Sequence, residues 1–566
     1  MAFIPFPEYR PDVDDYLGEH TQVLSGVLPR GDGYGPFPNL QAYTSTLPAR
    51  CRGATYMRKS DGTVVIFAAS INRIWTLNNS TLGWTPVSKV TALTSISNAS
   101  PAVFTKTAHG LSVNDDLVLS TSGALPTGLT VGTIYYVKTV PTADTFTVSA
   151  TVGGAAINTS SAGSGTHSMT YFYSDLPSTD QWQFAPFGDT VVAVQANSAP
   201  QAFNVASSVA FADLGGSPPT SRYVATVGRF LVLTGQITVP RRLQWSDLDG
   251  ITTWTPGTGF ANYFDLPDGG IVRGVMGGEF GFVAQESVWR RMVYVTGAKP
   301  AFQIDRIAEE KGLLGPYSIV RAGDKIFAVS QQGFQQITGQ GLVPIGKERV
   351  DRTFLADLDT SNLQLLIGAG DPAGTRAIWA YKSVGNSNTS VFDKIIVYDS
   401  ALDRWSPPIS VTGEYLMPVV KPGLTLDSLD SISGSIDALG FTLDSVQAAL
   451  GSKLSAFDSD HKLGFFDGAN IEATLETAEQ GIEGRRIIVR GFVPRTDAPT
   501  VYGRTRYRSN AQASYSQTDE ALINSQGLCP QRRETKLARM KVRIPASTLW
   551  SYAKGVEPEI ARTGKR

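Results

Sequence analysis

Along the middle of the chain, short apolar runs return at a near-constant spacing, each launched from a glycine turn. The first is Asp61-Gly62-Thr63-Val64-Val65-Ile66-Phe67-Ala68-Ala69. It returns as Gly188-Asp189-Thr190-Val191-Val192-Ala193-Val194, then as Gly228-Arg229-Phe230-Leu231-Val232-Leu233 and Gly278-Glu279-Phe280-Gly281-Phe282-Val283-Ala284. A fifth copy is Gly323-Asp324-Lys325-Ile326-Phe327-Ala328-Val329, and a looser sixth is Gly374-Thr375-Arg376-Ala377-Ile378-Trp379-Ala380-Tyr381. β-Branched and aromatic residues directly after a turn glycine predict a strand leaving a tight turn. Behind the first three copies a further run ends near Leu77, Phe203 or Leu243.

Glycine to glycine, the later steps are about 40, 50, 45 and 51 residues. The first is about 126, which falls to about 44 once a stretch of about 82 residues of different character is set aside. Four short strands every 40–50 residues is the signature of a β-propeller blade. A second phrase keeps step: Trp84-Thr85-Pro86, Trp254-Thr255-Pro256 and Trp405-Ser406-Pro407 each read as closing a strand, with the Trp packed between blades and the Pro blocking the ladder. The competing reading of the same pattern is a large β-sandwich with coincidental turns. The spacing favours an all-β chain: a β-propeller of about six blades with an inserted small β domain and a C-terminal β-sheet or sandwich region.

The divisions follow changes in pattern. Residues 1–50 are punctuated by prolines and carry Tyr9, Tyr16, Tyr34, Phe37 and Tyr43, which predicts an extended arm docked on something else, a neighbouring subunit among the options. Arg30-Gly31-Asp32 within it reads as a turn. Residues 51–90 form the first blade, 91–172 the insert and 173–421 the remaining blades. Residues 422–457 space Leu426, Leu429, Ile432, Ile436, Leu439, Leu443, Val446 and Leu450 by three or four. Gly434, Gly440 and two Asp-Ser pairs nevertheless favour a long acidic loop over a helix. From 458 to 566 the pattern is β again.

Composition changes this picture in two places. Two cysteines at opposite ends of the chain, Cys51 and Cys529, imply no disulfide framework and read as reduced thiols. The start, Met1-Ala2-Phe3-Ile4-Pro5, lacks the basic and apolar regions of a signal peptide, so synthesis and folding in a cytoplasm are expected; no apolar run is long enough to span a membrane. The net charge of -1 hides an imbalance. From Gly484 onward there are about 17 basic residues against 6 acidic ones, near +11, leaving the rest of the chain near -12. That asymmetry predicts an acidic partner for the C-terminal region. Arg504 and Arg506 fall on one strand face, as do Arg539, Lys541 and Arg543, and these five are the docking-face candidates. In the acidic loop Asp427, Asp430, Asp437 and Asp444 appear with no basic residue before Lys453.

Signs of catalysis are few. Four histidines are scattered without metal-ligand spacing, and no nucleophile elbow, phosphate loop or dinucleotide glycine pattern stands between strand and helix. The chain is read as a non-enzyme with no cofactor and no metal. A carboxylate pair of glycosidase type remains open, since acidic residues are many.

Two resemblances add to this. Within the insert, His109-Gly110-Leu111-Ser112-Val113-Asn114-Asp115, Ala124-Leu125-Pro126-Thr127-Gly128-Leu129, Tyr135-Tyr136-Val137 and Gly153-Gly154-Ala155 look like a module grafted into many bacteriophage structural proteins, which implies virion decoration or partner binding. The repeat over 51–566, with its Leu-Asp-Ser loop, resembles the tail nozzle (tail tube B, tail hub) proteins of short-tailed bacteriophages. The family lacks this insert, which puts fibre and adaptor contacts in doubt. The resemblance implies a ring, six copies being the expectation, that continues the DNA channel below the portal and adaptor. It also implies contacts with a tail adaptor and with fibres or spikes, double-stranded DNA passing without sequence-specific binding, and a place in the virion tail. Because a DNA channel should not hold DNA, the acidic loop residues are the expected lining or gate of that channel. The alternatives are a propeller enzyme acting on host glycans and a receptor-binding or fibre-attachment protein.

Overall fold

The structure, a computed structural model, describes residues 3–14, 20–170, 172–371, 375–421, 452–481 and 486–562. It is all-β apart from a short helix, Asp351–Asp357, and a 3-10 turn, Thr360–Leu365. The repeating unit is a four-stranded antiparallel sheet, the blade of a β-propeller, and seven such units occur among the described residues, one more than the spacing predicted; the sixth carries Ile409–Gly413 as a fifth strand.

The six repeated phrases are the second strands of six of these sheets: Val64–Ala69, Thr190–Gln195, Phe230–Thr234, Gly281–Gln285, Lys325–Ser330 and Arg376–Tyr381. Phe230–Thr234 and Gly281–Gln285 are buried at every position, and the other four at nearly every position. A strand covered on both faces has no solvent side, so it reads as a continuous apolar run instead of an alternating one. In the first, second, third and fifth sheets the preceding glycine closes a tight hairpin at positive φ, as Gly188 (φ 55) and Gly228 (φ 57) do. The seventh sheet escaped the pattern because it is assembled from both ends of the chain: Tyr415–Val420, Ser452–Phe457 and Leu463–Asn470 are completed by Pro38–Ala42 at the edge.

By contacts the chain forms two compact units, one of residues 51–265 with 297–301 and one of 1–50, 266–296 and 302–566. The first unit holds three sheets and the insert. Phe67, Trp182, Val191 and Phe203 join its first and second sheets, and Val192, Leu231, Leu233 and Trp254 its second and third. The insert begins and ends on one antiparallel pair, Val90 opposite Thr170, and builds a seven-stranded sheet around its own core of Phe104, Leu117, Tyr135, Phe146 and Met169. A segment that leaves and returns on adjacent strands can be spliced into a hairpin connection without disturbing the host ladder.

The second unit holds the other four sheets, packed in the same way. Phe334, Trp379 and Trp405 interlock between the fifth and sixth sheets, with ring centroids 4.6–4.7 Å apart from Phe334 to each Trp. The Trp phrase is less regular than the sequence suggests. Trp84 and Trp405 begin or close fourth strands, but Trp254 lies in the connection before Asn262–Asp265. Beyond the sheets, Cys529–Thr535, Ile487–Thr496 and Ala553–Arg562 pair with Gly33–Pro36 and Val27–Arg30. A second sheet, centred on Tyr502–Arg508 and Leu537–Ile544, takes in Ala473–Glu476 and Leu24–Ser25. Val27, Leu475, Phe492, Met540, Val542 and Val556 fill the space between them.

Residues 1–50, which the sequence predicts as an extended arm docked on something else, dock within their own chain over their described part. They supply strands to three sheets of their own chain, and Asp12 anchors them further. Its carboxylate accepts the backbone N–H groups of Arg352 and Thr353 at 2.8 and 2.9 Å, satisfying otherwise orphan donors at the start of the short helix.

Candidate docking face

Tyr502–Arg508 and Leu537–Ile544 are antiparallel neighbours with Arg504 opposite Lys541 and Arg506 opposite Arg539. Alternation together with this pairing brings Arg504, Arg506, Arg508, Arg539, Lys541 and Arg543 onto one face, joining two strand faces that alternation alone predicts only separately. What the sequence reading missed is that the same face carries its own counter-charges. Ala473–Glu476 pairs with Leu537–Ile544, placing Glu476 opposite Lys541 and Glu472 one step beyond the pair Ala473–Ile544.

The fully buried Glu476 accepts from Arg506 at 3.0 Å and lies 3.5 Å from Arg539. The fully buried Glu479 takes a bidentate pair from Arg508, both distances 2.6 Å, and a hydrogen bond from the Tyr515 hydroxyl at 2.6 Å. Arg543 reaches Glu520 at 2.8 Å and Glu472 at 3.0 Å, and Arg504 also pairs with Glu520. The Tyr515 ring lies beneath the guanidinium groups of Arg539, Arg508 and Arg506 at 4.3, 4.6 and 4.8 Å. Among the described residues Lys541 makes no ion pair.

Ionisation follows this geometry. The Arg543 hydrogen bonds, with help from Arg504, hold Glu520 down at about 2. The reciprocal contacts to Glu520 and Glu472 push Arg543 up. Desolvation lowers Lys541, and the Arg504 and Arg506 charges add to that. The face is thus largely neutralised within its own chain, which weakens the expectation that Arg504, Arg506, Arg539, Lys541 and Arg543 meet an acidic partner. A signal existed in Ile471-Glu472-Ala473-Thr474-Leu475-Glu476: its alternation puts Glu472 and Glu476 on a common face.

Asp427, Asp430, Asp437 and Asp444, the expected channel residues, lie outside the described residues. They fall in sequence between Tyr415–Val420 and Ser452–Phe457, which are paired at Val420 and Ser452. Lys421 and Lys453, which flank them, both reach Asp467, at 3.1 and 3.3 Å.

A cleft of about 400 Å³ bears on the catalytic alternative. It is lined by Asp12, Lys311, Gln335, Glu348, Asp351 and Arg352 among others. The Asp351 carboxyl sits where a side chain on Gly333 or Gly346 would stand; a Cβ on Gly333 would lie 2.1 Å from its carboxyl carbon. One oxygen accepts the Phe334 N–H at 3.0 Å and the other is buried without a partner. Burial, aided by the Asp12 charge, pushes Asp351 up to about 6. Asp12 itself is committed to the helix start, so the two acids do not form a free carboxylate pair. Among the described residues no cluster of three or more His, Cys, Asp or Glu is arranged to hold a metal ion.

No family model matches the chain, and no curated protein matches it. Solved structures similar to it include the C-terminal WD40 domain of Sif2, at 12% identity over 76% of this chain and 98% of that one, with a TM-score of 0.33. The β-propeller domain of Cps50 (Swd1) from Myceliophteria thermophila has 9% identity over 67% and 92%, with a TM-score of 0.27. A functionally unknown protein from Desulfotomaculum acetoxidans has 11% identity over 60% and 92%, with a TM-score of 0.28. At such low scores the fold assignment rests on the sheet topology above and not on these likenesses.

Proposed function

We propose that this chain is a structural component of a bacteriophage tail. In this reading several copies form a ring, six being the expected number, that continues the DNA channel, helps retain the genome and lets it pass at ejection. The observation that carries the reading is the insert. Its phrases resemble a module of phage structural proteins, and it folds around a core of its own between the first and second sheets. The repeating blades agree with the nozzle resemblance, as does the broad β surface of the C-terminal sheets. A closed ring needs a heterologous contact that closes by rotation, and such a contact needs two different surfaces on one chain. The ring would sit in the virion tail against a portal-side adaptor, with fibres or spikes as further neighbours, after synthesis in the host bacterial cytoplasm. The test is quantitative mass spectrometry of gradient-purified particles. Six or twelve copies against the major capsid protein is the expected result, and absence from particles with abundance in the lysate overturns it.

Asp351 favours a second reading, a propeller enzyme acting on host glycans, since an acid near 6 in a cleft suits proton transfer. Host polysaccharide that is degraded by the wild type and left intact by D351N would establish it. Polysaccharide untouched by both would remove it.

A further inference from the structure

We propose that the outer face of the C-terminal sheet around Arg490 and Arg532 is the surface by which one copy of this chain docks onto an acidic surface of a second copy. The proposal deepens the ring reading and rests on it for the presence of several copies.

The surface lies on Ile487–Thr496 and the edge strand Cys529–Thr535 beside it. The register jumps from Val489 opposite Arg533 to Gly491 opposite Pro530, and on the other side from Val489 opposite Ile560 to Gly491 opposite Glu559. Arg490 is therefore the extra residue of a β-bulge against Ala553–Arg562, whereas against Cys529–Thr535 the extra residue is on the edge strand, where Gln531 and Arg532 together stand opposite Arg490; such irregularities re-aim side chains. Arg490 is exposed, and across from it on the edge strand Arg532 is exposed too. Arg486, Arg533 and Lys536 flank them, all exposed. Arg533 lies over the Tyr507 ring at 4.2 Å.

The acids facing this patch are Glu534, on the same strand and 3.9 Å from Arg486, and Glu559 on the neighbouring strand. Neither is ion-paired with Arg490 or Arg532, which lack a carboxylate partner among the described residues. Like charges on adjacent strands about 5 Å apart oppose sheet pairing, so a carboxylate arriving from outside relieves a strain already present.

Charge complementarity selects the occupant. Before Gly484 the chain carries about 44 acidic against 32 basic residues, a net charge opposite in sign to that of the basic C-terminal end. Nucleic acid fits less well, because Glu534 and Glu559 stand among the cations and would meet phosphates. Protection of a bare sheet edge is the other explanation for charges here. It is indifferent to sign, whereas docking onto an acidic surface is not.

The experiment is native mass spectrometry with sedimentation velocity on the full chain across a salt series. The expected result is an assembly at low salt that dissociates as salt rises. R490E/R532E should weaken it about tenfold or more, and R490K/R532K should leave it intact. Circular dichroism and the melting temperature of R490E/R532E should match the wild type; if that variant does not fold, R490Q/R532Q is measured in its place. A wild type that stays monomeric at every salt overturns the proposal, as does an assembly unmoved by reversal. A double-stranded DNA mobility shift abolished by R490E/R532E, without any change in assembly, overturns it in favour of nucleic acid. The ring reading is judged separately by copies per particle, so ring-level copy number combined with an indifferent R490E/R532E would defeat the docking surface alone.

Discussion

Arg504, Arg506 and Arg508 on one strand and Arg490 and Arg532 on two others are all arginines at strand positions in a basic C-terminal region. The fold treats them differently. Over the first group it lays Glu476 and Glu479, both fully buried, and Glu520 and Tyr515 from the connection between two strands. Over the second, among the described residues, it lays no carboxylate, and both side chains are exposed. Local sequence supplies the charge, and the strand that happens to pair alongside decides whether that charge is answered within the chain. A cluster of basic residues is therefore a docking candidate only after its neighbours on the sheet are known.

The comparison is broken most forcefully from the buried side. Glu479→Gln removes a carboxylate that holds Arg508 and Tyr515 in a dry setting, so urea unfolding is expected to show a loss of about 3–5 kcal/mol. A loss below about 1 kcal/mol would mean that the cluster is solvated after all.

Asp351→Asn comes next and tests an uncompensated buried acid against the compensated ones. Asp351 is raised to about 6, above its unfolded value, so its contribution to stability is full at pH values below about 4 and is lost as pH rises through 6. The variant should be more stable than the wild type at pH 8, by about 2 kcal/mol, and lack that pH dependence. Glu520 has the opposite sign. It is lowered to about 2, so its contribution is present above its ordinary value and lost as pH falls toward 2. Acid titration followed by near-ultraviolet circular dichroism should show the arginine cluster loosening over that window in the wild type and not in E520Q.

Tyr515→Phe sharpens the account of how the neutralised face is held. It keeps the ring under three guanidinium groups and deletes one hydrogen bond to Glu479, for an expected loss of about 1 kcal/mol. The smallest effect on stability is expected for R490E/R532E, within about 0.5 kcal/mol, because exposed groups without partners leave no contact to lose. A larger loss would show that the patch is part of the fold and not a free surface.

Much of the architecture was legible because it is local. The second strand of six of the seven sheets is buried at nearly every position, and in four of them it directly follows a glycine turn, so those six sheets announce themselves in the order of residues. The insert was legible for the same reason, through a change of composition and its own short strands. The seventh sheet was not, because its edge strand, Pro38–Ala42, lies more than 400 residues from the strand it pairs with, and no periodicity crosses that distance. Trp254 misled for a related reason: a Trp-Thr-Pro phrase can sit in a connection as well as in a strand, and packing between sheets buries it either way.

By itself, then, the sequence determined the class of the fold, the blade as its repeating unit, the place of the insert and the concentration of positive charge at the C-terminal end. All four depend on residues near one another, through turn chemistry, strand propensity and simple composition. Tertiary structure alone decided where the N-terminal arm goes, that Asp12 closes the start of a helix 340 residues away, and which arginines keep their charge for the outside. Those outcomes depend on pairing between distant strands, where a carboxylate a few ångströms away in space carries no mark of its destination in the chain.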